Sequence, residues 1–150
     1  MPGAADFWGL LLPLLERFEG FRPRPYLCPA GVPTIGFGST RYLDGSPIRL
    51  TDPPIDVTHA RILVREQVKA EYLAGVIKLC PEVDGPGQLA ALVDFAYNLG
   101  VGALRSSTLR RRVNASEWDT VPAEFRKWVR GGGRVLPGLV KRREAEVGLL

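Results

Sequence analysis

The stretch FEGFRPRPYLCPAGVPTIGFG, residues 18–38, decides the fold. Ahead of it, Leu14, Leu15 and Phe18 recur at helical spacing behind Pro13, a residue suited to the first turn of a helix. Gly20 is a natural stop, so a short helix is expected to close at Glu19, with residues 1–11 as an N-terminal extension. Past Gly20 the character changes. Pro23, Pro25, Pro29 and Pro33 alternate with Gly31, Gly36 and Gly38, and Tyr26, Val32, Ile35 and Phe37 sit between them. Short strands joined by tight turns fit this pattern and a helix does not. The pattern runs to about residue 50, with Asp44-Gly45 as a hairpin turn, and Asp52-Pro53-Pro54 marks its boundary.

The rest of the chain reads as helical. From Thr58, taken as an N-cap, a helical pattern runs to about Leu79, and Pro81 ends it. Residues 87–99 are apolar on nearly all sides, as in a helix buried at the centre of a domain. Shorter helices are expected around 103–113 and 117–129. The second opens on a capping box, Ser116 with Asp119, and Pro122 restarts it. Gly131-Gly132-Gly133 reads as a loop and 138–149 as a last helix. The expected fold class is α+β. One domain, 1–150, would hold a small β-rich lobe (22–50), a larger helical lobe (58–150) and a ligand cleft between them.

Composition narrows the function classes. The 150 residues are 45% hydrophobic and 24% charged, too apolar for disorder. Net charge is +4, carried by sixteen Arg and four Lys, and the whole excess lies in the second half, where twelve basic residues face eight acidic ones. An anionic partner follows. Arg110-Arg111-Arg112 lacks the aromatic interleaving or recognition-helix pattern of a nucleic-acid binder, so it reads as a solvated helix face and nucleic acid is not expected. The apolar run Phe7–Leu15 is interrupted by Gly9 and Pro13 and falls short of the roughly 20 residues that span a bilayer. Its part up to Leu12 reads either as a short packed helix or as an arm that touches a membrane. Nothing resembling a secretory signal stands there, so synthesis in the cytoplasm is expected. One His and two Cys, Cys28 and Cys80, supply neither a metal set nor a disulfide scaffold, and no cofactor fingerprint is present.

The remaining chemistry gathers around Glu19. A carboxylic acid at a helix C-terminus between Phe18 and Phe21 has two reasons for a raised pKa, desolvation and the negative end of the helix dipole. A Glu held partly protonated suits general-acid catalysis. The same residue also reads as a surface Glu at a frayed helix end, and pattern alone does not separate the two.

Larger blocks do. Glu19, eight residues, Cys28, five residues and Thr34 match the catalytic spacing of the phage-type lysozymes, glycoside hydrolase family 24, whose usual triad is Glu, Asp and Thr. Thr34-Ile35-Gly36-Phe37-Gly38 resembles that family's active-site hairpin, and residues 91–100, ALVDFAYNLG, its central helix. Ser107-Thr108-Leu109 and Gly138–Glu146 resemble its later helices. The resemblance implies a lysozyme-like fold and an endolysin-like N-acetylmuramidase. Such an enzyme cleaves the β-1,4 bond between N-acetylmuramic acid and N-acetylglucosamine of peptidoglycan, without a cofactor. Glu19 would protonate the leaving oxygen and Thr34 would hold the attacking water, in an inverting reaction.

The chain departs from the family pattern at Cys28, which stands where Asp is usual, and at Ser39, where many relatives have His. A thiol with an ordinary pKa near 8.5 is mostly neutral at pH 7. Cys28 could orient water weakly, act as a thiolate base, respond to redox state, or serve as a buried structural thiol. Tyr26 is a candidate substrate contact or packing residue, and Asn98 a sugar contact or a helix anchor. Arg142 or Arg143 is a candidate partner of the acid and of the substrate. The implied protein is a monomer acting on peptidoglycan with no stable membrane span. It would pass from the host cytoplasm to the periplasm through a holin-type lesion. The alternatives are a lytic transglycosylase, which needs only one acid/base Glu, and an inactive wall-binding protein on the same fold.

Overall fold

A computed structural model of the chain describes residues 3–150. It comprises eight α-helices, a π-helical turn and two small antiparallel hairpins among these residues. The chain divides into two compact units, Leu15–Glu71 and the remainder.

Helix α1 (Ala4–Glu19) supplies residues to both units. It begins nine residues before the expected start at Pro13, which lies inside it. Pro13 removes the hydrogen bond to the carbonyl of Gly9, but both residues are exposed, so the break falls on the solvent face. The other face explains why the helix persists. Phe7, Leu11 and Leu15, at four-residue spacing, are fully buried, and the Phe7 and Trp8 rings meet edge to face at 4.9 Å. Residues 4–11, read above as part of an extension, are thus a packed helical segment. No helix among the described residues is long and apolar enough to cross a membrane.

In the unit Leu15–Glu71, strand β1 (Arg22–Leu27) pairs antiparallel with β2 (Pro33–Gly36). Tyr26 stands opposite Thr34 and Leu27 opposite Pro33, and the register is irregular between Arg22 and Tyr26. That irregularity coincides with Pro23 and Pro25, which have no N–H for a ladder. The expected Asp44-Gly45 turn is present: Gly45 has φ +84°, Tyr42 N–H donates to the Ser46 carbonyl, and Arg41 bridges to Pro47. Ile35, Ile48 and Leu63 form the core of this unit, with Tyr42 and Ile55 packed against it. Leu63 comes from helix α2 (Val57–Gln67), which packs on β2. Residues 58–71, grouped by the sequence with the helical lobe, fall in the hairpin's unit. The N-cap is Asp56, not Thr58, because the Asp56 carboxylate reaches back to accept from the His59 N–H at 2.7 Å. The helix continues through the π-helical turn Val68–Leu73 into α3 (Ala74–Leu79).

The helical unit is built on α4 (Pro86–Leu99), whose residues 89–96 are all buried. Around it stand α3, α5 (Val101–Arg105) and α8 (Pro137–Val147). The single helix expected at 103–113 is two, α5 and α6 (Thr108–Asn114), because the Ser107 hydroxyl accepts from the Arg110 N–H and starts a new helix. The capping box expected at Ser116 does not form. Ser116 is in the left-handed region, φ 56°, and α7 (Val121–Arg126) starts at Val121 with Pro122 in its first turn. Phe125 and Trp128 close edge to face on Phe95 at 5.7 and 5.3 Å. The expected glycine loop is the turn of a second hairpin, β3 (Arg130–Gly131) with β4 (Arg134–Val135).

Gly36 gives this architecture a sharp test. It has φ +69°, and a Cβ there would stand 3.0 Å from the Ala60 Cβ on α2. Gly36→Ala should destabilise the protein by about 2 kcal/mol through left-handed strain and the displaced helix. A matched Gly20→Ala variant, with open space at its Cβ, should lose less. Urea denaturation of the two variants checks the order.

Candidate active site

Glu19 is the last residue of α1, half-buried, and Gly20 turns the chain out of the helix with φ +72°. The Gly20 N–H still closes on the Glu16 carbonyl at 3.2 Å, so the carboxylic acid is presented from a finished helical turn. Phe21 then packs on Phe37 from the end of the hairpin, ring centroids 5.6 Å apart.

The hairpin assembles the remaining groups. Tyr26 and Thr34 are direct cross-strand partners, so their side chains leave the sheet on the same face. The Arg22 guanidinium lies over the Tyr26 ring, 4.2 Å from its centroid. Burial pushes the Tyr26 hydroxyl above its ordinary pKa, the negative charge of Glu19 pushes it further, Arg22 opposes, and Cys28 adds to the rise. Those couplings place Glu19, Arg22, Tyr26 and Cys28 in one electrostatic neighbourhood.

Cys28 begins the turn that joins the strands. Its N–H donates to the Val32 carbonyl at 3.1 Å and its carbonyl accepts from the Gly31 N–H at 2.8 Å. The sulfur is held by hydrogen bonds with the backbone of Val32, then of Ala30, then with the Thr34 hydroxyl. Together these hold the thiol below its usual pKa despite some desolvation. The turn thus favours the anion, much as backbone N–H groups favour a bound oxyanion. Thr34, 3% exposed, donates its hydroxyl to the Val32 carbonyl at 2.8 Å and is also within reach of the Cys28 sulfur. One hydroxyl proton serves one acceptor at a time, so Thr34 can answer a change in charge at Cys28 by rotating. Both cysteines are free thiols. The buried one is Cys80, pushed up to about 11 by desolvation.

Four of the seven residues singled out in the sequence (Glu19, Tyr26, Cys28 and Thr34) therefore meet within one unit. Asn98, Arg142 and Arg143 are gathered in the helical unit. Arg142 makes a two-point ion pair with Asp94, Nε to Oδ2 at 2.9 Å and Nη2 to Oδ1 at 2.8 Å. Arg143 is fully buried over the Phe95 ring and donates to Asn98 Oδ1 at 2.8 Å, Glu146 Oε1 at 2.7 Å and the Trp128 carbonyl. Asn98 thus anchors Arg143. Glu146 Oε2 is buried without a hydrogen-bond partner. Burial, followed by Asp94, holds Glu146 far above the usual carboxylate range.

Sequence reading missed Arg22, Asp94 and Glu146. Asp94 was visible as a lone acid on an apolar helix, and Glu146 as a residue three after Arg143. Nothing in the spacing of Arg22 and Tyr26 foretold their stacking, which the irregular strand permits. Among the described residues no group of three His, Cys, Asp or Glu is placed to hold a metal ion.

Two outcomes follow from these environments. Iodoacetamide should alkylate folded protein at Cys28 with a pH midpoint below that of a free cysteine, near 8.5, and leave Cys80 unmodified until unfolding; peptide mapping reads both. Glu146 binds its proton in the fold at pH values where the unfolded chain has lost it, so this group lowers stability progressively as pH rises above about 4.3. Glu146→Gln should therefore gain on the wild type between pH 5 and pH 8 in urea denaturation, and parallel pH profiles would refute the assignment.

The family model described as Phage lysozyme matches residues 16–146. The chain is 41% identical over 138 residues to an endolysin of Bacillus phage B103, covering 89% of this chain and 49% of that protein. It is 34% identical over 145 residues to an endolysin of Acyrthosiphon pisum secondary endosymbiont phage 1, covering 92% of each. The chain spans about half the length of the Bacillus phage relatives and nearly all of the second. Among solved structures it resembles an endolysin from Escherichia coli O157:H7 phage FAHEc1, with a TM-score of 0.83, 28% identity, and coverage of 99% of this chain and 95% of that one. With residues 16–146 matched and the fold in agreement, the chain belongs to the phage lysozyme family.

Proposed function

We propose that the protein is a peptidoglycan hydrolase, an endolysin-like N-acetylmuramidase of glycoside hydrolase family 24 acting as a single-domain monomer. The observation that carries this reading is the electrostatic coupling of Glu19, at the end of α1, to Tyr26 of the hairpin that also carries Cys28 and Thr34, in a member of the phage lysozyme family. Glu19 is the general acid. It gives its proton to the glycosidic oxygen as the bond from the N-acetylmuramic acid anomeric carbon breaks and positive charge develops on the sugar.

On the opposite face of that sugar, water attacks the anomeric carbon. The Cys28 thiolate receives the water's proton and Thr34 holds the water's oxygen. The donors around the sulfur support this thiolate-base role over the weaker alternatives. Tyr26 contacts the substrate beside the acid. The protein is made in the host cytoplasm and reaches the wall when the membrane is permeabilised by a holin-type lesion. The endolysin names of its relatives support action on the cell wall.

Turbidity loss of permeabilised Gram-negative cells tests the assignment. Glu19→Gln should lose activity by about 10²–10⁴-fold, the usual weight of a general acid. Cys28→Ser should fall substantially and Cys28→Asp should recover. In the wild type, the rate should rise with pH as the depressed Cys28 thiol ionises, and Cys28→Asp should shift that rise to lower pH. Equal clearing by wild type and Glu19→Gln, or clearing by neither, would sink the mechanism. Mass spectrometry of the products separates hydrolysis from transglycosylation: a 1,6-anhydro end would show that Glu19 works without the water.

A further inference from the structure

The arginine run at 110–112 has no part in this chemistry, and its surroundings in the helical unit are distinctive. A concave site of about 520 Å³ is lined by Arg105, Ser106, Ser107, Arg110, Arg111 and Asn114, with neither a carboxylate nor an aromatic ring in its wall. Elsewhere arginines meet acids: Arg61 with Glu16, Arg112 with Glu117, Arg126 with Glu144. Among the described residues no carboxylate pairs with Arg105, Arg110 or Arg111.

Two of these guanidiniums are braced by the protein. Arg110 donates from Nε to the Leu79 carbonyl at 3.0 Å and from Nη1 to the Arg105 carbonyl at 3.2 Å. Arg111 donates from Nη2 to Thr108 Oγ1 at 2.9 Å. Asn114 shares the Leu79 carbonyl at 2.9 Å, which ties α6 to the end of α3. The braced groups keep N–H donors that none of these bonds uses, and part of the entropic cost of ordering them is already met. Three like charges, two of them braced, thus line one depression without an internal counter-ion, an arrangement that favours binding a compact anion.

We propose that this pocket binds the phosphate of an anionic glycerophospholipid headgroup and so holds the protein at an anionic bilayer surface. Phosphate matches guanidinium forks in geometry and charge, and the volume accommodates a glycerophosphate. The absence of any ring from the wall leaves no platform for stacked bases, which argues against single-stranded nucleic acid. The inference is independent of the hydrolase reading.

Vesicle co-sedimentation of the full chain at near-physiological salt is the test. Wild type should bind phosphatidylcholine vesicles doped with phosphatidylglycerol and not pure phosphatidylcholine. Because Arg110 also braces the fold, R105Q/R111Q is measured beside R105Q/R110Q/R111Q. At the usual weight of a basic side chain near an anionic membrane, affinity should fall about 30-fold for the double variant and over 100-fold for the triple. R130Q/R134Q/K141Q, which removes the same net charge at exposed positions elsewhere, should lose much less. Free glycerol phosphate should compete if the pocket reads a single phosphate; arginine-dependent binding that it does not displace would assign the affinity to the multivalent lipid surface. Hydrolysis of lipid-free peptidoglycan by R105Q/R111Q should match wild type, so failure of either proposal shows separately. No vesicle binding, or equal losses in the pocket and control variants, would overturn the assignment. Tighter, equally arginine-dependent binding to duplex DNA would replace it with a nucleic-acid surface.

Discussion

The helical unit depends on one buried ion pair. Helix α4 is buried along residues 89–96, and within that span it carries Asp94, with no exposure to water. An ionised carboxylate so placed is tolerable only when paired and fully hydrogen-bonded. Arg142 meets it with two parallel hydrogen bonds from α8, forty-eight residues away in sequence. That requirement fixes α8 in register along α4, and the neighbouring groups follow from it. Arg143 is carried inward to Asn98 and Glu146, and burial, followed by Asp94, raises the Glu146 pKa well above the usual carboxylate range. The aromatic closure of Phe125 and Trp128 on Phe95 packs the same stretch of α4.

In the other unit the governing constraint is the backbone of a short turn. Val32 serves Cys28 and Thr34 together: its carbonyl accepts from the Cys28 N–H and from the Thr34 hydroxyl, while its backbone also hydrogen-bonds to the Cys28 sulfur. Main-chain geometry, rather than the intrinsic acidity of the side chain, thereby lowers the Cys28 pKa. The arginine pocket follows the opposite logic, since Arg110 is held by two carbonyl groups and Arg111 by a hydroxyl, with no acid in the wall.

Much of this was legible. Glu19, Tyr26, Cys28 and Thr34 fall in one compact unit, because a helix stop followed by a proline-rich hairpin leaves few ways to place residues so close in sequence. The buried helix at 87–99 was equally plain, since an all-round apolar pattern has little choice but the interior. The errors came where local signals compete with packing. Pro13 looked like a helix start, yet Phe7, Leu11 and Leu15 bury one face continuously and outweigh a hydrogen bond lost on the solvent side. Ser116 had the pattern of a cap, but its left-handed backbone excludes the role. Thr58 lost the cap to Asp56, two residues earlier, whose carboxylate reaches the His59 N–H.

What the sequence determined by itself is whatever short range controls: the helix stop at Gly20, the hairpin and its turn, the apolar character of α4, the order of the chemical groups and the family they mark. The tertiary structure alone decided the lowered pKa of Cys28 and the raised pKa of Glu146, the partners of Arg142 and Arg143, and the absence of a carboxylate partner at Arg105, Arg110 and Arg111. Protonation and pairing depend on burial and on donors and acceptors brought together across the fold, by energies that fall off over a few ångströms. Residue spacing along a chain does not measure that distance.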